Sequence, residues 1–317
     1  MNRLVAIGGG HGLAASLRAL RTLSGSVAAI VSVADDGGSS GRLREQLGVV
    51  APGDLRKCLV ALSDPKSSLA RAFEHRFEAG DLEGHPLGNL MIVGMAQSMG
   101  GILPALRELE RLLGCVGSLY PATEVPVRLE AEVLGGTSGR VKGQVAVAGT
   151  PHISRVILDP EDPEVPAEAA SILHEADAIV IGPGSLYTSV LAVASIPRIR
   201  EAISKSPAFK IYVCNLRPQR GETEGYDVAS HLRALWVHGV FPDVALYDPA
   251  GMSLGDPEGA FEEVASLERV RPPEVLAASL AKANGLAHDP GKLAEAVANI
   301  LENRERTAMG STFQDPG

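Results

Sequence analysis

The chain has 317 residues, 45% of them hydrophobic and 21% charged, with a formal net charge of −9 and an aromatic content of 4%. This is the balance of a soluble globular protein with ample material for a core, and no apolar stretch is long and charge-free enough for membrane insertion. The acidic net charge and the scarcity of aromatic platforms exclude a nucleic-acid polymer as the main partner.

The N-terminus enters a strand over residues 4–7 almost at once, which is neither a signal peptide nor a transit peptide, so a cytoplasmic location is expected. Glycines follow, then a helix over 13–23 and a strand over 27–33, the pattern of a parallel βαβ unit. The next segment, Asp35-Asp36-Gly37-Gly38-Ser39-Ser40-Gly41-Arg42-Leu43-Arg44, is the most informative in the chain. Read as a loop after a buried strand, its glycines can turn N–H groups toward an anion, its acids can hold a divalent cation or a sugar hydroxyl, and its guanidiniums can clamp phosphate.

Helices are predicted over 54–62, 67–77, 88–99 and 103–113, the first after the Pro52-Gly53-Asp54 turn. Alternation over 125–134 and 140–148, around a Gly-rich turn, predicts an inserted antiparallel hairpin spanning about 125–148. The αβ rhythm resumes with a strand over 153–158, a helix over 167–175 and strands over 178–181, 210–214 and 244–247, with a helix over 226–238 before the last. Helices are expected over 273–282 and 290–303, and 304–317 reads as a frayed, disordered tail. The prediction is a Rossmann-like, doubly wound, mainly parallel α/β sheet with an inserted β-hairpin, in one domain over 1–303.

Loops after four of these strands carry the candidate chemistry. Gly8-Gly9-Gly10-His11-Gly12-Leu13 can form an anion site with the following helix N-terminus. It is not the dinucleotide fingerprint, since Leu13 stands where the third glycine belongs, nor a P-loop, although Asp35 lies where a dinucleotide enzyme keeps its ribose acid. Arg56 and Lys57 in the first turn of a helix, where the dipole disfavours cations, suggest a nearby anion. His85 and Asn89 flank a helix start. Gly182-Pro183-Gly184-Ser185-Leu186-Tyr187-Thr188-Ser189 and the stretch with Asn215, Gln219, Gly221, Glu222 and Thr223 complete the set. In a parallel sheet these loops converge at the carboxyl edge, where open α/β folds bind ligands. Residues 1–60 carry seven Lys or Arg against four Asp or Glu, which suits a small anionic ligand at that edge. The three cysteines, Cys58, Cys115 and Cys214, are too far apart for a disulfide framework or a zinc site.

Together these strings resemble the YvcK-type gluconeogenesis factor family of bacteria, related to the CofD 2-phospho-L-lactate transferases. The resemblance rests on Gly8-Gly9-Gly10 with Gly12-Leu13, the segment from Val33 to Arg44, Pro52-Gly53-Asp54, Gly84-His85 with Leu87-Gly88-Asn89-Leu90, Gly182 to Ser189 and Gly221-Glu222-Thr223. It implies a cytoplasmic protein that binds a UDP-sugar, UDP-N-acetylglucosamine being the one expected, and links gluconeogenic carbon metabolism to cell-wall synthesis and cell shape. The family has no established reaction, whereas the transferase relatives use a guanosine-linked phospholactate, magnesium and a deazaflavin acceptor.

The ligand-binding residues expected are Gly9, Gly10, His11, Gly12, Leu13, Asp36, Ser39, Ser40, Arg42, Asp54, Arg56, His85, Asn89, Gly182, Gly184, Ser185, Tyr187, Thr188, Asn215, Gln219, Glu222 and Thr223. Asp35 and Asp36 are the candidates for Mg2+ and for catalysis, should the chain be a transferase of phosphorus-containing groups. Homodimer assembly is left open. Three departures stand out: His11 where the family usually has Thr, Lys57 where it typically has Asn, and Ser230 before His231 where an Asp usually precedes the His.

Overall fold

The computed structural model describes residues 2–135, 140–265 and 271–311. In chain order the elements are β1 (Arg3–Gly8), α1 (Gly10–Leu23), β2 (Ser26–Val31), α2 (Gly38–Leu47), α3 (Gly53–Leu62), α4 (Ser68–Glu74), α5 (Leu87–Met99), α6 (Ile102–Leu113), β3 (Gly117–Pro121), β4 (Arg128–Val133), β5 (Val141–Lys142), α7 (Gln144–Ala148), β6 (Ile153–Asp159), α8 (Ala167–Glu175) and β7 (Ala178–Ile181). A π-helical turn (Leu186–Leu191) then leads into α9 (Ala192–Ala194), α10 (Pro197–Lys205), β8 (Phe209–Val213), α11 (Val228–Val237), β9 (Val244–Tyr247), α12 (Pro257–Ala265), β10 (Glu274–Ala277) and α13 (Pro290–Ser311).

Seven strands form one sheet in the order β10-β9-β8-β7-β1-β2-β3, every neighbouring pair parallel. Its central strands are near-continuous apolar runs, as expected where helices cover both faces. Ala178 to Ile181 of β7 and Leu4 to Ile7 of β1 are all buried. The chain winds outward from β1 through β2 to β3, then returns on the other side of β1 to build β7, β8, β9 and β10. The winding direction therefore reverses between β1 and β7, and that switch point opens a crevice at the carboxyl ends of the two strands.

The sequence-based expectations need correction in five places. The strand over 153–158 does not join the parallel sheet: as β6 it pairs antiparallel with β4, in a three-stranded sheet ordered β5-β4-β6. From Arg155 on its exposure alternates, with Val156 and Leu158 buried and Arg155 and Asp159 outward, the mark of a strand covered on one face. The expected hairpin keeps only two residues in its second arm, Val141 and Lys142 against Ala131 and Glu130. Residues 144–148 turn instead into α7, because the Asp36 carboxylate accepts the N–H groups of Gln144 and Val145 at 2.8 and 2.9 Å and holds that first turn. The tip of the hairpin, 136–139, lies outside the described residues.

The glycine- and serine-rich run after Asp36 forms α2 rather than a loop, so Ser39, Ser40 and Arg42 sit on a helix. The helix expected over 273–282 is instead the edge strand β10, parallel to β9; Pro272 and Pro273 favour extended backbone, and Val275 and Leu276 pair with Ala245 and Leu246. Finally, α13 continues past residue 303 to Ser311, where a frayed tail from 304 was expected; residues 312–317 lie outside the described residues.

Candidate functional site

The loops after β1, β2, β7 and β8 meet at the carboxyl edge around an open cleft of about 710 Å³. Such a volume falls within the range of small-molecule and cofactor sites. Its floor is the turn from β1 into α1. Gly9 takes the N-cap position in extended conformation with no side-chain cap, and the first turn of α1 holds no acid, so that helix end keeps its free N–H groups and partial positive charge.

Two glycines here are required by space. A Cβ at Gly9 would lie 2.5 Å from Asp54 Oδ2 and 3.2 Å from Ser32 Cβ, and one at Gly12 would run into the carbonyl of Pro183. The first and third loops therefore touch backbone to backbone, and Ser16 Oγ straps them further by donating to the carbonyl of Gly182 at 2.7 Å.

The third and fourth loops are joined in two layers. On the cleft side, the Gly184 N–H donates to Asn215 Oδ1 at 3.3 Å, Asn215 Nδ2 donates to Gln219 Oε1 at 3.1 Å, and Gln219 Nε2 donates to Ser185 Oγ at 3.1 Å. Beneath it, the Thr188 N–H donates to Glu222 Oε2 at 3.1 Å, and Thr223 Oγ1 accepts from the Gln219 N–H at 2.8 Å. Glu222 is 2% exposed. Burial pushes its carboxyl up to about 7, although hydrogen bonds from Thr188, Leu186 and Ser185 pull it back. Glu222 Oε1 and Thr188 Oγ1 are both buried without a hydrogen-bond partner, which a proton on the carboxyl would help to satisfy.

Acids and bases face each other across the cleft floor. Lys57 Nζ lies 3.0 Å from Asp54 Oδ1, three residues along α3, a spacing that puts both side chains on one face. Asp35 is held above the usual aspartate range by burial and by the neighbouring Asp54. His11 is held below the ordinary histidine value by burial and then by the Lys57 charge, both of which favour its neutral imidazole. Arg217 and Arg220 line the wall formed by the fourth loop.

Of the residues expected from sequence, the cleft gathers Gly9, Gly10, His11, Gly12, Asp35, Asp54, Gly184, Ser185, Asn215 and Gln219. Ser39, Arg56, His85 and Asn89 form a separate buried network beside it. Asn89 Nδ2 donates to Ser39 Oγ at 3.0 Å, Ser39 Oγ meets His85 Nδ1 at 2.8 Å, and Arg56 Nε donates to Asn89 Oδ1 at 3.1 Å. Arg42 reaches away to the carbonyl of Glu83 at 2.7 Å, while Ser40 is buried against Gly53.

Leu13, Gly182, Tyr187, Thr188, Glu222 and Thr223 lie in the interior rather than on the cleft wall. The Tyr187 hydroxyl donates to the carbonyl of Ile153 at 3.0 Å and meets the Tyr226 hydroxyl at 2.9 Å, so this ring packs in the core. Asp36 is committed to the start of α7. A magnesium ion held jointly by Asp35 and Asp36 does not fit, because both Asp36 oxygens already accept backbone N–H groups of α7 and only Asp35 of the two lines the cleft. Among the described residues, no group of three or more His, Cys, Asp or Glu side chains gathers to hold a metal.

Lys57, Gln144, Ser189, Arg217, Arg220 and the turn Leu286 to His288 also line the cleft; none is among the expected ligand-binding residues, although the position of Lys57 in the sequence suggests a nearby anion. Arg217 and Arg220 were within reach of sequence reasoning, since they lie in a loop already singled out. The 286–288 turn was not: it follows β10, far along the chain, and is brought to the cleft by a hydrogen bond from Arg217 Nη2 to the carbonyl of Gly285.

Comparison with known proteins agrees with this architecture. Residues 4–258 match the family described as 2-phospho-L-lactate transferase CofD. A gluconeogenesis factor of Halalkalibacterium halodurans is 44% identical over 248 residues, covering 77% of each chain. Putative gluconeogenesis factors of Mycobacterium tuberculosis and Aquifex aeolicus are 41% and 37% identical, covering 92% and 95% of this chain and 88% and 97% of theirs. The crystal structure of a UPF0052 family protein from Bacillus halodurans superposes with a TM-score of 0.84 at 37% identity, covering 94% of this chain and 98% of the other. With a family match across most of its length and relatives alike over nearly the whole chain, this protein belongs to the CofD family, among the gluconeogenesis factors.

Proposed function

We propose that the cleft binds a nucleoside-diphosphate sugar, UDP-N-acetylglucosamine being the one the family resemblance points to. In this reading the protein is a cytoplasmic sensor of that metabolite, linking gluconeogenic carbon metabolism to cell-wall synthesis and cell shape. The observation that carries it is the uncapped N-terminus of α1, opening into a cleft whose other walls bring Lys57, Arg217 and Arg220 toward the same space. Backbone N–H groups at a helix start, with cations opposite, suit a diphosphate. The π-helical turn does not offer an equivalent anion site, because Glu222 already sits at its first N–H groups. The diphosphate therefore belongs at Gly10 to Gly12, ahead of Leu13, whose N–H already donates to the Gly9 carbonyl. The hydroxyl and amide groups of Ser185, Asn215 and Gln219 are left to meet sugar or base, with Asp35 and Asp54 as acceptors for hydroxyls.

Titration calorimetry against a panel of nucleotides and nucleotide-sugars tests this. A UDP-sugar should bind more tightly than UMP or the free sugar, and equal, weak heats across the panel would contradict it. The second reading, transfer of a phosphorus-containing group, is favoured by the family description and by the two carboxylates on the cleft floor. Its test is product analysis with a guanosine-linked phospholactate donor and a deazaflavin acceptor.

A further inference from the structure

The carboxylates facing the cleft are Asp35 and Asp54, and beside them on the cleft floor lies a cation of the chain itself. Lys57 Nζ is 3.0 Å from Asp54 Oδ1, with the lysine side chain 22% exposed and the aspartate side chain 10% exposed. Asp54 Oδ2, the other oxygen, lies against Gly9, at the N-cap of α1. The Lys57 charge is felt by Asp35 and by His11 as well, which places it among all the polar side chains of the floor. Magnesium requires near-octahedral oxygen ligands at roughly 2.0–2.1 Å and is usually held by one or two carboxylates together with phosphate. Here one of the two carboxylates is already ion-paired to an ammonium of the chain. Asp36, the acid that could have raised the negative charge of the floor, is spent on α7.

We propose that the Lys57 ammonium takes the role that a divalent cation plays in many diphosphate sites, so that this chain binds its anionic ligand without a metal. The inference rests on the reading of the cleft as a nucleoside-diphosphate site. Asp54 is then a positioning residue: it draws the lysine toward the glycine turn, where a three-donor point charge can meet phosphate oxygens. The three cations lining the cleft outnumber its two carboxylates, so its formal charge is attractive to a diphosphate before any metal is added.

The test is titration of the full-length protein with UDP-N-acetylglucosamine and with UDP, in EDTA and in excess Mg2+, for wild type, Lys57→Met and Lys57→Arg of matched melting temperature. Wild type and Lys57→Arg should bind equally in both conditions. Lys57→Met should lose roughly tenfold to a hundredfold in EDTA, the size of one charge-assisted contact, and regain part of it in Mg2+. Binding by wild type only in Mg2+, or undiminished binding by Lys57→Met in EDTA, would overturn the proposal.

A second measurement needs no nucleotide: Mn2+ as probe, followed by its electron paramagnetic resonance signal. Wild type should leave Mn2+ free, whereas Lys57→Met should gain a site that Asp54→Asn abolishes. A wild-type Mn2+ site lost in Asp54→Asn, or no gain in Lys57→Met, contradicts the role of Lys57. If wild type binds neither UDP ligand in either buffer, the nucleotide reading falls and the Mn2+ result alone decides on the lysine.

Discussion

Glu222 is a carboxyl whose surroundings favour its neutral form. Its carboxyl is raised from 4.5 to about 7, mainly by burial. The stability linked to the neutral form is thus fully present below pH 4.5 and lost as pH rises through 7. Glu222→Gln is neutral throughout and keeps an acceptor for Thr188. It should be more stable than wild type at pH 8, by at most on the order of 3 kcal/mol, and show no such advantage near pH 4.5. Denaturant unfolding at the two pH values measures this, and an identical difference at both would count against a neutral Glu222. Gly12 carries a different constraint, since a Cβ there meets the Pro183 carbonyl. Gly12→Ala should cost about 1–3 kcal/mol of stability and also weaken ligand binding, because the two loops must part to admit the methyl. Unchanged melting and unchanged affinity would show that the loops part freely.

Among the elements, the starts of α1 and α7 bear on the site in opposite ways. The N-terminus of α1 is left open, whereas that of α7 is closed by Asp36. Asp36→Ala should therefore lower stability by roughly 2–3 kcal/mol, the worth of charge-assisted hydrogen bonds, while Asp35→Ala should act mainly on binding. Unfolding curves and titrations of both variants separate the two roles, and a reversal of that pattern would exchange the assignments. That the two adjacent acids need not act on one ion was legible in sequence; which of them faces the cleft and which caps a helix more than a hundred residues away was not, because it depends on where α7 packs.

The strand-to-loop order was legible, because apolar runs of strand length followed by glycines are a local signal, and it correctly brought the loops after β1, β2, β7 and β8 to one edge. What stayed hidden depended on distant partners. β6 belongs to the small sheet because β4 pairs with it, and β10 is a strand because β9 offers an edge. The hydroxyls, amides and guanidinium of Ser39, Asn89 and Arg56 satisfy one another, a closure invisible until α2, α3 and α5 are packed.

At the scale of the whole molecule, an acidic chain with a net charge of −9 carries a cleft whose cations outnumber its acids. Binding of a diphosphate should accordingly weaken as salt is raised, with Lys57, Arg217 and Arg220 responsible for the slope. Titrations at increasing ionic strength should show a smaller slope in Arg217→Ala/Arg220→Ala than in wild type, and equal slopes would place the ligand away from the fourth loop. The switch point between β1 and β7 is where the fold itself offers a crevice, and the glycine turn, the cations and the amide layer are all arranged around it. The most direct test is a crystal structure of the protein grown with saturating UDP-N-acetylglucosamine. The diphosphate is expected within hydrogen-bond distance of the N–H groups of Gly10 to Gly12 and of Lys57 Nζ, with the sugar or base against Ser185, Asn215 and Gln219. A ligand seated elsewhere on the molecule, or a cleft left empty at saturation, would contradict it.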